Sequence, residues 1–305
     1  MSGFFDELGK KLAERWLTLL VFPGLIYLVC LTIALVLQHD NALCPETLLK
    51  EMDRLTAQPA AANARVLLLA VVAILAAAGA AGLAAGALGW LLERAWNSKG
   101  RHRPARWLTA HRQRRWDNAQ TRVRRQTTLA ARARPASGES PPDVAAAIAA
   151  RQSIGLLRPQ RPTWIADRLH AADQRLYQAY DLDLTSAWPR LWLIIPDTAR
   201  TELTTAHNAY STAARLAGWA ILYLPLAWWW WPALPITAVL TMTAWIRART
   251  AIAVLADLVE ATVDLFSRDL AIQLGILTDG PMTRHAGLAV TVTLRKDPET
   301  NYPTT

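Results

Sequence analysis

Cysteine and charged residues are scarce in this chain of 305 residues. Only two cysteines occur, Cys30 and Cys44, which excludes a disulfide-dense scaffold and a zinc site built from four thiolates. Charged residues make up 19% of the chain, whereas hydrophobic residues make up 52%. This balance excludes a disordered, collagen-like or ordinary water-soluble domain.

Catalytic motifs are also missing. The sequence contains no phosphate-binding loop of the form G-x-x-x-x-G-K-[ST], no H-E-x-x-H, no G-x-S-x-G and no G-x-G-x-x-G. Its six histidines never stand four residues apart or beside a carboxylate at a spacing typical of metal ligands. We therefore expect no enzymatic activity, no metal site and no cofactor.

Two long runs without any charge indicate the class of protein. Residues 16–37 and 66–92 are uncharged, and each run exceeds the roughly 20 residues that cross a bilayer core of ~30 Å. They predict transmembrane helices at 16–37 and 65–92. The first run is too long for the apolar core of a signal peptide, about 7 to 15 residues, and no A-x-A cleavage site follows it.

A third uncharged stretch, residues 216–246, contains three prolines and is too long for one untilted span but short for two. Arginines flank both ends, and basic residues are retained on the cytoplasmic side. This favours a hairpin that turns at Trp231 and Pro232, with helices at 216–231 and 233–246. The arms are short, so Arg215, Arg247 and Arg249 are expected to snorkel, or else the hairpin dips into the membrane without crossing it. A single span is the alternative.

The basic residues also orient the chain. Thirteen basic and two acidic residues lie within 93–134, a net charge of +11, and the remaining residues sum to −2, which gives +9 in total. We predict an all-α, multi-pass cell-membrane protein with four transmembrane helices and both termini in the cytoplasm. Its other segments are an N-terminus at 1–15, an external loop at 38–64, a basic helix at 93–134, a linker at 135–142, a cytoplasmic helical domain at 143–215, an amphipathic helix at 247–277 and a C-terminal tail at 278–305.

Small residues recur every four positions in the second predicted membrane helix, at Ala78, Gly82 and Gly86. Glycine has no Cβ, so another helix can approach closely at such positions. We predict that these three residues form a helix-packing stripe, although an alanine-rich segment also scatters small residues without any packing role.

The basic helix has a narrow apolar seam and a separate basic sector. The basic surface comprises Arg114, Arg122, Arg125 and Arg132, and the seam comprises Trp116, Ala119, Val123, Ala130 and Ala133. So thin an apolar stripe buries little area by itself. The helix is therefore expected to pack on a partner, on lipid headgroups or on another part of this chain.

Further elements follow in the C-terminal half. Thr163 is positioned to cap a helix whose apolar residues repeat at intervals of four and three. Asp257, Glu260, Asp264 and Arg268 share one face of the predicted helix at 247–277. That face is either a partner for the arginine-rich segment or a solvated surface, and we interpret it as a solvated surface. Apolar residues alternate within 288–294, which predicts one short strand.

Three functions fit these features. The favoured one is a non-enzymatic membrane protein whose basic cytoplasmic region docks a partner protein, anionic lipid or its own copies, within a homo-oligomer or membrane protein complex. The second is an oligomeric pore or membrane-perturbing effector. The third is DNA handling at the membrane, in conjugation or segregation, because arginine-rich helices bind phosphates of any sequence. Nucleic acid is the less favoured partner, since retention of basic residues in the cytoplasm already accounts for the arginines.

The predicted topology can be tested with reporter fusions. A reporter fused after Thr305 should score cytoplasmic, and one inserted near Pro59 should score external, because positive charge flanks both ends of residues 216–246. An external C-terminus would mean that this stretch crosses the membrane once.

Overall fold

The computed structural model describes residues 21–39, 42, 44–56, 64–100, 102–133, 142–276 and 279–296. Within these ranges every regular element is helical, which confirms the all-α class. The α-helices are α1 (Phe22–Leu37), α2 (Pro45–Thr56), α3 (Ala64–Trp96), α4 (Arg103–Ala133), α5 (Pro142–Ile154), α6 (Trp164–Tyr180), α7 (Leu184–Ile194), α8 (Asp197–Tyr223), α9 (Ala233–Gln273) and α10 (Arg284–Arg295). A short 3₁₀ helix, Leu224–Trp228, follows α8.

The chain forms two compact units, each drawn from separate stretches of sequence. The first unit contains Met1–Glu93 and Ser211–Arg247, and the second contains Arg94–Tyr210 and Ala248–Thr305. Several predicted segments fall outside the described residues, namely the N-terminus 1–15, the first five residues of the helix at 16–37, nearly all of the linker and the end of the C-terminal tail.

Glycine brings the backbones of three helices of the first unit into contact. A Cβ atom built on Gly24 of α1 would overlap the carbonyl oxygen of Ala78 in α3. A Cβ atom on Gly218 of α8 would overlap the carbonyl oxygen of Ala85 and stand 2.9 Å from the backbone nitrogen of Gly89. Because the hydrogen of glycine leaves this space open, α3 packs directly against both α1 and α8.

The packing stripe of α3 differs from the predicted one at its last member. Ala78, Gly82, Ala85 and Gly89 are buried, whereas Gly86 is partly exposed and a Cβ atom there would meet nothing within 4 Å. A strict four-residue repeat drifts around a helix by about 40° per step, since one turn takes 3.6 residues. Steps of three and four residues hold one face, which brings Gly89 and not Gly86 to the contact.

Aromatic rings and the turn after α8 complete the core of the first unit. The ring of Tyr27 meets that of Tyr223 edge-on at 5.3 Å and that of Trp219 at 6.1 Å. The indole N–H of Trp230 donates to the carbonyl oxygen of Ala42 at 2.9 Å. The turn is therefore fixed both by ring packing and by a hydrogen bond to a distant loop.

Among the described residues, α3 alone is long and apolar enough to cross a membrane. It has 33 residues, and its most apolar window of 18 residues has a mean hydropathy of 2.7 with 17% of that window buried. The apolar helix α1 has 16 residues. The stretch 216–246 is interrupted between Tyr223 and Ala233, which includes the predicted turn at Trp231 and Pro232 but ends the helix predicted at 216–231 eight residues early. Neither helical part of the stretch supplies a long apolar window.

Helix α10 occupies the residues for which the sequence predicted a strand, so that prediction is wrong. The Thr283 hydroxyl accepts a hydrogen bond from the backbone N–H of Ala286 and caps the helix. Val290 and Leu294 are buried in the core of the second unit. An alternation of period two also contains residues four apart, which a helix places on one face. The helix satisfies its own backbone groups, whereas a lone strand leaves its edges unpaired.

Helix α6 begins where the sequence predicted. The Thr163 hydroxyl accepts a hydrogen bond from the backbone N–H of Ala166, which confirms the predicted cap. Helix α10 approaches the end of α6 closely, since a Cβ atom on Gly287 would overlap the carbonyl oxygen of Tyr180. The core of the second unit contains the buried residues Leu176, Leu182, Ala187, Leu191, Val263, Leu270, Ala271, Val290 and Leu294.

Gly218→Ala and Gly86→Ala add the same methyl group to two helices of the first unit. We expect Gly218→Ala to lower stability by about 1–3 kcal/mol, because the methyl overlaps the backbone of α3. Gly86→Ala should be neutral or stabilise by up to about 1 kcal/mol, because its Cβ meets open space and alanine favours helix. Thermal unfolding of the purified protein measures both, and equal effects would contradict the backbone contact.

Candidate functional site

Helix α4 is strongly basic. It contains nine arginines and a single acidic residue, Asp117. No glycine or proline follows Pro104 in it, so nothing interrupts its 31 residues. Its two faces have different roles in the second unit.

The inner face of α4 is held by hydrogen bonds more than by the predicted apolar seam. Val123 is buried, but Trp116 donates its indole N–H to the carbonyl oxygen of Gly155 at 3.1 Å. The side-chain amide of Gln113 donates to the carbonyl oxygen of Pro159 at 2.9 Å. The helix thus packs on the chain that follows α5, which is one of the three expected supports.

Arg112 is the centre of this inner face. One terminal nitrogen donates to the carbonyl oxygens of Arg161 at 2.7 Å and Thr163 at 2.9 Å. The other donates to the carbonyl oxygen of Ile154 at 2.9 Å and to the carboxylate of Asp167 at 3.2 Å. One guanidinium therefore joins α4 to the end of α5, to the loop before α6 and to α6 itself.

Asp167 is buried and satisfied from two directions. Its second oxygen accepts from the backbone N–H groups of Gln160 at 2.8 Å and Arg161 at 3.2 Å. Burial lowers the pKa of Arg112, the charge of Asp167 opposes that shift, and the nearby charges of Arg249 and Arg115 lower the pKa further. The inner face therefore holds a cluster of positive charges near one buried carboxylate.

A second ion-pair network joins α6 to α9. Arg168 is buried and bonds both Asp257 and Glu260, the latter at 3.2 Å, and Arg175 bonds Glu260 at 3.1 Å. The side chain of Glu260 is 14% exposed, so the interpretation of this face as a solvated surface is wrong at that residue. Glu260 lies between Arg168 and Arg175. These two cations compensate the cost of burying its carboxylate, which would be unstable without charged or hydrogen-bonding partners.

The outer face of α4 presents the predicted basic surface. Arg114, Arg122, Arg125 and Arg132 are exposed, and in the described part of the chain none of them makes an ion pair or a side-chain hydrogen bond. Asp117 is engaged by Arg158 through two contacts of 3.0 Å, and this hydrogen bonding lowers the pKa of Asp117. The acidic residue of the helix therefore does not neutralise the outer arginines.

The other predicted site residues lie apart from this surface. Ala78, Gly82 and Gly86 belong to the first unit, where Ala78 and Gly82 are buried. Sequence analysis missed Arg112 and its buried partner Asp167. The one local signal is Arg168, which stands three residues after Ile165 on an otherwise apolar seam, and such a charge requires partners when it is buried.

Metal-ligating side chains do not cluster in the ranges given above. Across those ranges, no group of three or more His, Cys, Asp and Glu residues is arranged to hold a metal ion. Cys30 is half-buried and Cys44 is exposed, and neither forms a disulfide.

Arg112→Gln should destabilise the second unit strongly. The change leaves Asp167 without its cationic partner and orphans carbonyl oxygens, and breaking a buried pair costs about 3–5 kcal/mol. Arg114→Gln on the exposed face is the matched control and should change stability by less than about 0.5 kcal/mol. Chemical denaturation of the solubilised protein followed by tryptophan fluorescence compares the two, and similar midpoints would contradict the assigned role of Arg112.

Comparison with known proteins gives no match of any kind. No protein-family model, no curated protein and no solved structure matches this chain. The residues and contacts described above are therefore the basis on which its function is inferred.

Proposed function

We propose that this protein is a non-enzymatic, multi-pass membrane protein whose basic helix α4 docks anionic lipid on the cytoplasmic side. The observation that carries the proposal is the distribution of side-chain size in the first unit. In its longest helix, α3, every buried residue is glycine or alanine, whereas most of the leucines, valines and isoleucines and Trp90 are exposed. This is the reverse of a water-soluble fold, in which the large apolar residues form the interior.

Helix α3 illustrates the reversal. Leu67, Leu68 and Leu69 are 58–69% exposed, whereas Gly82 and Gly89 are buried. A contiguous apolar surface of this kind is costly in water but matches lipid chains, and small residues at helix contacts are typical of membrane proteins. The low burial of its apolar window also argues against a core helix of a soluble protein.

The turn between α8 and α9 supports the four-span arrangement. Trp228 is 83% exposed, and Trp229 and Trp231 are also exposed. Tryptophan favours the headgroup level, where its ring meets apolar chains and its N–H meets water. In this arrangement the turn lies at the external interface, and α1, α3 and the two arms of the hairpin are the four spans.

Arg249 does not take the snorkelling role expected for it. Its guanidinium lies 4.4 Å from the ring centre of Trp164 and donates to the carbonyl oxygen of Ser153 at 3.4 Å, all within the second unit. The cytoplasmic end of the last span is therefore proposed near Arg247, which is exposed.

The outer face of α4 supports lipid docking. Four unpaired arginines project from one helix. Only six residues lie between the end of α3 and the start of α4, a connection that reaches at most roughly 25 Å. A basic helix tethered so close to a membrane segment meets the negative charge of anionic headgroups, where each arginine contributes about 1 kcal/mol.

Lipid docking can be tested on the full-length protein in detergent. Native mass spectrometry should show more bound phosphatidylglycerol than phosphatidylcholine, and the excess should fall as salt rises. Replacing Arg114, Arg122, Arg125 and Arg132 with Gln should lower the affinity for phosphatidylglycerol by roughly a hundredfold or more.

The matched control replaces the same four arginines with Lys. Because lysine keeps the positive charge, this variant should retain most of the phosphatidylglycerol binding. Equal binding of the two lipids by the wild-type protein, or an unchanged affinity in the Gln variant, would reject lipid docking by this face.

A further inference from the structure

An open cavity of about 460 Å³ lies between α4 and α5, within the second unit. Three of its lining residues are alanines, and their small side chains leave the space between the two helices. The lining residues are Arg115, Asn118, Ala119, Arg122, Ala147, Ala150, Ser153 and Ile154. A cavity of this size accommodates a phosphate group together with the small organic group attached to it.

The polar lining of the cavity comes mainly from one face of α4. Arg115, Asn118 and Arg122 follow one another at intervals of three and four residues, which a helix places on the same side. The two arginines therefore stand on either side of Asn118, with their Cα atoms separated by roughly 10 Å along the helix. All three side chains can donate hydrogen bonds, and a guanidinium carries only donors.

The positive charge around this cavity exceeds the negative charge. In the part of the chain that the structure describes, no carboxylate lines the cavity, and neither Arg115 nor Arg122 forms an ion pair. Arg112 and Arg249 lie beside the cavity, since each donates to the backbone carbonyl of a residue that lines it, and the charge of Arg112 is paired with Asp167. The repulsion between Arg112 and Arg249 contributes to the lowered pKa of Arg112.

We propose that this cavity binds one phosphate group, carried either by the headgroup of an anionic phospholipid or by free phosphate. Guanidiniums match the oxygens of phosphate with two parallel hydrogen bonds, and the amide of Asn118 supplies a further donor. This inference rests on the proposed function, because it assigns the binding of anionic phosphate groups to one concave site on the basic helix α4.

The two sources of phosphate are separated by titrating the full-length protein in detergent with three probes. The probes are inorganic phosphate, short-chain phosphatidylglycerol and short-chain phosphatidylcholine, at ionic strength matched with chloride, with thermal unfolding as the readout. Stabilisation by inorganic phosphate assigns the site to free phosphate, and stabilisation by phosphatidylglycerol alone assigns it to the lipid headgroup. Stabilisation by neither, or equally by phosphatidylcholine, overturns the proposal.

Two pairs of variants locate the binding. Arg115→Gln with Arg122→Gln should lower the affinity for the stabilising probe by roughly a hundredfold, because two charge-assisted contacts are lost. Arg114→Gln with Arg125→Gln removes the same charge from the same helix outside the cavity and should lower it less than about fivefold. Equal losses in the two pairs would overturn the cavity site while leaving docking by the whole basic face intact.

Ala147→Leu tests the cavity without changing any charge. Its larger side chain fills space beside Arg115 and Arg122, so the probe should no longer stabilise the protein. Phosphatidylglycerol adducts on Arg114, Arg125 and Arg132, which lie outside the cavity, should persist in native mass spectra. Undiminished stabilisation in this variant would overturn the proposal. Unfolding of each variant without probe verifies that it is folded.

Discussion

Backbone contact between α3 and its two neighbours, α1 and α8, is the constraint on which the first unit depends. Gly24 and Gly218 press against the backbone of α3 at Ala78 and Ala85. In α3, where glycine and alanine occupy the contact, the large apolar residues point outwards. Close packing through small residues therefore leaves leucines and tryptophans on the surface. This exposed apolar surface is the reason for proposing a lipid environment.

The second unit is organised by buried charge. Arg112 replaces a conventional apolar contact with four hydrogen bonds, three of them to backbone carbonyl oxygens. Such a network is stable only when every buried group has a partner, and the second oxygen of Asp167 meets two backbone N–H groups. The inner arginine and its carboxylate thereby fix the orientation of α4.

That orientation decides the character of the outer face. With Arg112 and Trp116 turned inwards, the remaining arginines of α4 point to solvent or towards the cavity beside α5. Asp117 is occupied by Arg158 and leaves their charge uncompensated. Two kinds of anion binding are thus proposed for α4. Docking of anionic lipid depends on the net charge of the whole face, whereas binding of one phosphate group depends on the shape of the cavity.

Local patterns in the sequence predicted the elements whose causes are local. The cap at Thr163 and the helical class follow from residue chemistry over a few positions, and the structure has both. The prolines of 216–246 also indicated an interruption, but the helix before it ends at Tyr223 and not at residue 231. The strand at 288–294 was predicted wrongly because a period of two also fits residues four apart in a helix. The sequence pattern fits both a strand and a helix, and only the folded chain shows whether a partner strand is present.

Long-range contacts were decided by the tertiary structure alone. The sequence determined that α4 is basic and that α3 is rich in small residues. The fold decided that Gly89 and not Gly86 meets α8, that Arg112 faces Asp167 across 55 positions of sequence, and that Glu260 lies between two arginines. The physical reason is that composition and periodicity specify which face a residue occupies on its own helix, whereas burial and pairing depend on which other helix arrives at that face.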